Sequence, residues 1–348
     1  MVAWVTFLGA SVFWSPDPLL TGRRLGLFFL LLLSAIAVAS LPGDRIFRLL
    51  SVVSIVNLLA GVLCELYWGK FRPWQAGYRF GGAGHPNLQG TCLAVGLLAA
   101  IGFAACNPSN RSRAVWFGAI CAVGLIATNS RTAMGAAAIA CLIGAILVLL
   151  RRTRRRFRHH LVICILCGSA AMGLAATAVD LPHTLMHGMA EKRDDGNTDS
   201  LNGRVEVWSI CLQYASRRML LGYGYDSFWT ANHIATISRE AQWPINEAHS
   251  SYIDEILNEG LIGTILFSVL LTSCLVLSVR RYIRGETSYL GWALLFSFII
   301  VHGVTESIMM PITSYPAYAI AVGVAGFAFW DRRTRFRLMA PETRRCFQ

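Results

Sequence analysis

Apolar runs of near-bilayer length recur along most of this chain, and no other feature limits its fold so strongly. Of 348 residues, 55% are hydrophobic and only 14% are charged, with mean hydropathy +0.52. A soluble domain carries charge on nearly a quarter of its residues. The reading is an all-α polytopic membrane protein with ten spans, at 2–14, 25–41, 46–68, 88–106, 114–128, 132–150, 161–179, 261–279, 289–309 and 314–330. The first run is short for a complete crossing. No cleavable signal peptide is evident, so the apolar start is expected to stay in the membrane.

The net charge of +12 invites a nucleic-acid reading, and its placement argues against one. Most arginines lie in short links between spans, where they set topology. The run Arg151, Arg152, Arg154, Arg155, Arg156 and Arg158 is expected to be cytoplasmic. Counting spans outward puts Arg111 and Arg113, Arg280 to Arg284, and Arg332 to Arg337 on the same side, with both termini. The basic run is a topology anchor that also attracts anionic lipid. The opposite side receives 15–24, 69–87, the short link 128–131 and one large loop from about 180 to 248. The chain divides into N-terminal helices (1–179), a loop with amphipathic helices (180–260), and C-terminal helices with a tail (261–348). Ten cysteines are scattered, mostly inside apolar runs where a thiol behaves as a small hydrophobe. Cys164 and Cys167 form a C-x-x-C, and no second pair or His cluster completes a metal or redox site.

Setting the topology arginines aside leaves a few polar residues on the outer side. Arg131, in Thr128-Asn129-Ser130-Arg131-Thr132, stands between two spans, either snorkelling to headgroups or serving a site. Arg204 lies in Asn202-Gly203-Arg204-Val205-Glu206-Val207-Trp208. Asn202 is a plausible N-cap, and the apolar spacing predicts an amphipathic helix over 204–219. A cation in a first turn opposes the helix dipole. It suits an anion gripped together with free backbone N–H groups, the other reading being a solvated surface arginine. Two glycines, Gly222 and Gly224, then permit sharp turns. Tyr223, Tyr225, Phe228 and Trp229 follow, better read as interfacial anchors than as sugar-stacking rings.

His249 is read as beginning a helix, His249-Ser250-Ser251-Tyr252-Ile253-Asp254, that leads into the span at Leu261. An imidazole there can accept a hydroxyl proton near neutral pH, or act as a structural hydrogen-bonder. Gly260 and Gly263 are expected to let the following helix pack closely on a neighbour. Upstream, Arg79-Phe80-Gly81-Gly82-Ala83-Gly84-His85-Pro86-Asn87 places a glycine run before a span, with no Lys-Ser/Thr to make it a P-loop. Glu306 lies in the outer third of its span, next to Thr305 and near His302. An intramembrane carboxylate is functional by default, and pairing with an arginine for structure explains it equally well.

These motifs, taken in order, resemble the bacterial O-antigen ligase and O-antigen or exopolysaccharide polymerase superfamily, from Trp14-Ser15-Pro16-Asp17-Pro18 to the last span. His249-Ser250-x9-Gly260-x-x-Gly263 fits the family pattern H-[NSQ]-x9-G-x-x-[GTY] at every fixed position. Gly203-Arg204 with Trp208 resembles G-R-x-x-x-W, and Leu221-Gly222-Tyr223-Gly224 resembles L-G-x-G. Ser130-Arg131-Thr132 resembles S-R-[ST], and His85-Pro86-Asn87 resembles H-P-N. The resemblance implies a GT-C-type helical membrane fold in the bacterial inner membrane, with its active face periplasmic. It implies transfer of a glycan from a polyprenyl diphosphate carrier to a glycan or lipid A core acceptor, with no metal or cofactor. Arg131 and Arg204 would hold the diphosphate, and His249 would activate the acceptor hydroxyl. Arg79, Asn87, Gly222, Gly224 and Glu306 are expected to help bind substrate. Relatives often have more spans, so N-terminal helices are open to being missing here.

Elementary chemistry agrees with that implication. A departing diphosphate needs positive charge aimed at it, and arginine's planar fork supplies it. The acceptor hydroxyl needs a base. Attack opposite the leaving group would invert the anomeric centre. Ligase and polymerase are both open, since they differ in the acceptor. A transporter or flippase of lipid-linked glycans is the alternative, and it would show paired repeats and broken helices near the midplane; no repeat is visible. A non-catalytic assembly partner would leave His249 without a role.

Overall fold

The computed structural model describes residues 1–153, 201–308 and 314–339. The expected span at 161–179, the Cys164–Cys167 pair, Arg154 to Arg158 and the first part of the 180–248 loop lie outside the described residues. Among the described residues every regular element is a helix. They are α1 (Val2–Ala10), α2 (Pro18–Ala39), α3 (Gly43–Tyr67), α4 (Pro86–Cys106), α5 (Arg111–Ala127), α6 (Arg131–Arg152), α7 (Leu201–Arg217), α8 (Ala231–Glu240), α9 (Ser251–Ile283), α10 (Tyr289–His302) and α11 (Tyr315–Met339). Five of them, α2, α3, α4, α6 and α9, are long and apolar enough to cross a membrane. The chain is thus a multi-pass membrane protein.

Local chemistry fixes several boundaries. Helix α2 begins seven residues before the apolar run read at 25–41. Asp17 accepts from the Leu20 N–H at 2.9 Å, and Pro18 occupies the first helical position. Helix α4 starts the same way, with His85 Nδ1 accepting from the Asn87 N–H and Pro86 at the first position. Helix α10 stops at His302, short of the expected 309, because 303–308 folds back onto the start of α9. The Ser251 N–H donates to Gly303 O at 2.9 Å, and the Ser251 hydroxyl donates to Glu306 O at 2.8 Å.

Helices α4 and α10 form the centre. Fourteen of the 21 residues of α4 are buried, and α10 is buried continuously from Tyr289 to Ile299. Helix α4 packs on α3 and α5, while α10 packs on α6, α9 and α4. The α4–α10 crossing is close because Gly102 and Gly291 face one another, with Phe47 filling the edge. The outward faces of α2, α3 and α5 carry exposed Leu30, Leu33, Val56, Leu63, Val123 and Ile126, as lipid-facing helices require.

Helix α9 is bent at Gly260, whose φ is +65°. The bend frees backbone groups on both sides, and the segment 219–224 satisfies them. Tyr223 and Gly224 N–H donate to Leu257 O and Asn258 O at 2.9 and 2.8 Å. Leu261 and Ile262 N–H donate to Met219 O and Leu220 O. A Cβ on Gly222 or Gly260 would meet the opposite backbone at 2.5 Å or less, so both must be glycine. Gly263 lies against Phe7 of α1, the close packing its spacing predicts. Trp4 Nε1 adds a bond to Glu259 Oε2 at 2.8 Å.

The helix ends sort into two groups. At one end meet the α2–α3 turn, the α4–α5 link, the end of α6 and the α9–α10 link. Gly43 lies beside Ser288 and Cys106, and Arg151 Nη2 donates to Gly285 O at 2.9 Å. Arg45, Arg48, Arg111, Arg113, Arg152, Arg280, Arg281 and Arg284 all belong to these helix ends and links. At the other end meet 14–24, 78–87, 127–132, the 201–250 region and 303–308, linked by the bonds described below.

Candidate functional site

The site is built around one carboxylate. Glu306 sits on the segment after α10 and is 6% exposed. Its Oε1 accepts from Arg204 Nη2 at 2.9 Å, Asn87 Nδ2 at 2.9 Å and Thr132 Oγ1 at 3.2 Å. Arg204 also donates through Nη1 to the Thr305 carbonyl. Asn87 Oδ1 in turn accepts from Arg79 Nη2 at 2.8 Å, and Arg79 Nε reaches the Thr128 carbonyl at 3.4 Å. Four expected site residues, Arg79, Asn87, Arg204 and Glu306, therefore form one connected network. A buried arginine–carboxylate pair bonded to further polar groups holds its geometry tightly.

Arg131 differs from Arg204. It is the first residue of α6, capped by Ser130, and it is exposed. Its neighbour Thr132 touches Glu306, so Arg131 stands at the edge of the network with its guanidinium open to solvent. Arg204 instead is 5% exposed and engaged. Helix α7 is described from Leu201, so Asn202 lies within the helix and not at an N-cap position, and Arg204 follows two residues later.

His249 does not begin a helix. Ser250 is the N-cap of α9, and His249 precedes it with φ +51°, a left-handed conformation that an L residue holds only under constraint. The constraint comes from its neighbour Ala248, whose N–H donates to Asp254 Oδ1 at 3.1 Å and whose carbonyl accepts from Trp208 Nε1 at 2.8 Å. The His249 ring stacks on Trp243, with centroids 5.5 Å apart and 14° between planes. Its Nδ1 lies 3.2 Å from Glu247 Oε1, off the line of the ring N–H, so the contact is a close approach and not an aligned hydrogen bond.

Ligand atoms of Glu247, His249 and Glu306 come within 4.8 Å of one another. That spacing admits a divalent cation on geometry alone. The Arg204 guanidinium on the same Glu306 oxygen opposes one, since it already supplies the positive charge.

Gly222 and Gly224 meet the backbone of the α9 bend and Ser15, not the Glu306 network. The aromatic residues after them are not interfacial anchors. Tyr223, Tyr225 and Phe228 are 8%, 3% and 0% exposed. Phe228 stacks on His233 at 4.6 Å, and Tyr214 and Tyr223 pack edge-on around it. Tyr225 packs edge-on against Phe28 of α2 in the main bundle core, while Tyr223, Phe228 and Trp229 join the core on which α7, α8 and the start of α9 assemble. Burial pushes the Cys211 thiol in that core up to about 12, with Asp254 adding to the rise. Trp229 Nε1 donates to Asp254 Oδ1 at 2.8 Å. Asp254 and Glu247 are the functional candidates that spacing alone misses. The cue for Asp254 was its place one turn into the helix after the His-Ser pair.

Comparison with known proteins covers part of this site. The O-antigen ligase family model matches residues 116–268. That stretch contains Arg131, Arg204, Gly222, Gly224, His249 and Gly260, and it leaves out Arg79, Asn87 and Glu306. The chain is 25% identical over 298 residues to the exopolysaccharide production protein ExoQ of Rhizobium meliloti (strain 1021). That match takes in 82% of this chain and 66% of the relative, just under two thirds of the relative's length. Together these matches bear out the resemblance seen in the motifs, and the family in which this chain finds its likeness is that of the O-antigen ligases and polysaccharide polymerases.

Proposed function

We propose that this protein is a membrane glycosyltransferase of polysaccharide biosynthesis. It moves a glycan from a polyprenyl diphosphate carrier to a sugar hydroxyl on a glycan or lipid A core acceptor. The observation that carries the reading is the placement of His249 beside the Arg204–Glu306 pair, with the free cation of Arg131 at the rim. The positive-inside rule assigns the arginine-rich end of the bundle to the cytoplasm and the site to the periplasmic face of the inner membrane. A ten-span, GT-C-type architecture, with 180–260 as the outer loop between two groups of helices, accords with this arrangement.

In the proposed reaction the acceptor oxygen bonds to the anomeric carbon as the bond from that carbon to the diphosphate oxygen breaks. The hydroxyl proton passes to His249. With Nδ1 turned to Glu247, Nε2 is the nitrogen left to accept it, a tautomer assigned from the contact. The diphosphate leaves with the bonding electron pair, and arginine charge stabilises it. Arg131 reaches it as it stands. Arg204 reaches it when Glu306 yields its place on the guanidinium. The carbon inverts, and neither a metal nor a nucleotide sugar takes part.

The test is transfer by purified protein given a polyprenyl diphosphate-linked glycan and separate acceptors. A ladder of lengthening products identifies a polymerase, and a single addition to lipid A core identifies a ligase. Absence of any glycosidic product with every acceptor removes the reading.

A further inference from the structure

We infer that Asp254 is a positioning residue that sets the distance between His249 and the Arg204–Glu306 pair, an inference that rests on the glycosyltransferase reading above. Asp254 is 3% exposed, in the first turn of α9. Its Oδ1 accepts from the Ala248 N–H and the Trp229 indole N–H, at 3.1 and 2.8 Å. Its Oδ2 accepts from the Ser307 hydroxyl. One carboxylate thus holds the residue before His249 with one oxygen and the residue after Glu306 with the other.

Two further contacts close the frame. Ser251, three residues earlier on the same helical face, binds the Glu306 carbonyl and accepts from the Ile308 N–H at 3.0 Å. Trp208, one helical turn after Arg204 on α7, grips the Ala248 carbonyl. His249 and Glu306 come from segments more than fifty residues apart in the chain, and Asp254 and Ser251 are the points at which those segments meet. Three donors converge on Asp254, which is why an acceptor-only group stands there. Asparagine can still accept from Ala248 and Trp229 while its amide turns to the Ser307 oxygen. Alanine leaves all three donors unpaired in a buried place.

The experiment uses the purified full chain and the variants Asp254→Ala, Asp254→Asn, Ser307→Ala, His249→Ala and the Asp254→Ala/His249→Ala double. Transfer from a polyprenyl diphosphate-linked glycan and binding of plain polyprenyl diphosphate are measured on each. Asp254→Ala is expected to lose roughly 100-fold in turnover, as small misplacements of reacting groups do, while diphosphate binding changes by about threefold or less. Asp254→Asn should recover most of that loss, and Ser307→Ala should be slower by roughly 5–10-fold with an unchanged melting temperature. The double variant should be no slower than His249→Ala alone, because a misplaced base and an absent one fail at the same step. Losses that multiply in the double variant overturn the inference, as does Asp254→Asn being as slow as Asp254→Ala. Should Asp254→Ala fail to fold, wild-type turnover in Ser307→Ala overturns it instead. Wild-type protein that transfers nothing removes the glycosyltransferase reading, and this inference falls with it; transfer by wild type with Asp254→Ala unimpaired removes this inference alone.

Discussion

The two ends of the helix bundle use their arginines in opposite ways. At one end Arg111, Arg113 and Arg284 stand exposed on helix termini and short links, while Arg151 bonds a backbone carbonyl and lies over the Tyr282 ring. At the other end Arg204 is buried against Glu306, and Arg79 is locked to Asn87. Charge at the first end depends on little beyond being on the correct side of the membrane. Charge at the second depends on which nitrogen meets which oxygen. Counting basic residues singles out the first end; burial and bonding single out the second.

The largest expected break in this contrast is at the base. His249→Ala should insert and fold normally, retain polyprenyl diphosphate binding, and lose roughly 10²–10⁴-fold in turnover. His249→Gln should do little better, since an amide cannot accept the proton. Turnover in His249→Gln close to wild type would leave the ring with an orienting role only. Next comes Arg204→Lys. The ammonium keeps the charge but cannot bond the Thr305 carbonyl and Glu306 in the same fork, so a loss of roughly 30-fold in turnover is expected. A silent Arg204→Lys would place Arg204 among the topology charges.

Arg131→Ala sharpens the contrast from within the site end. Because Arg131 is exposed and not part of the buried network, its loss should raise the KM for the lipid-linked donor by about tenfold and leave thermal stability unchanged. At the opposite end, Arg284→Ala should change turnover by less than about twofold, a surface substitution with no partner to lose. If Arg284→Ala is the damaging change, the assignment of the two ends is reversed. The smallest effect concerns Cys211. With its thiol pushed up to about 12 by burial, it should stay unlabelled by maleimide at pH 7.5 in intact protein. Engineered cysteines in 190–200 should label without permeabilising the inner membrane, which would fix the outer face independently.

Much of the site was legible because its residues fall in short motifs with separate physical reasons. Gly222 and Gly260 were visible as glycines, and their need for positive φ is what the bend demands. Trp208 was visible as an apolar residue of an amphipathic helix, and the structure adds that its indole bonds the residue before His249. The start of α2 was legible too, in Asp17-Pro18, although hydropathy alone drew the eye to residue 25. What could not be read is the long-range pairing. Asn87 and Glu306 are 219 residues apart, and nothing local to either names the other. The left-handed turn at His249 was equally hidden, since it is imposed by Asp254 and Trp208 and not by the preference of histidine. The aromatics at 223–229 looked like anchors because their spacing does not say whether a loop lies on the membrane or folds over its own core.

The bend at Gly260 also acts as a depth gauge. From Leu261 to Ile283 the helix is roughly 35 Å long at 1.5 Å per residue. A hydrocarbon layer is about 30 Å thick, so the straight part of α9 is long enough to span it with a modest tilt, with the bend at one boundary. Because segment 219–224 is bonded to that bend, the loop carrying Arg204 and the turn carrying His249 are fixed in height relative to the lipid headgroups. A polyprenyl carrier presents its diphosphate at that same level. Bilayer thickness therefore becomes a variable of the proposed reaction: lipids with shorter or longer chains would lower or raise the carrier's anion against a site whose own altitude is set by one glycine.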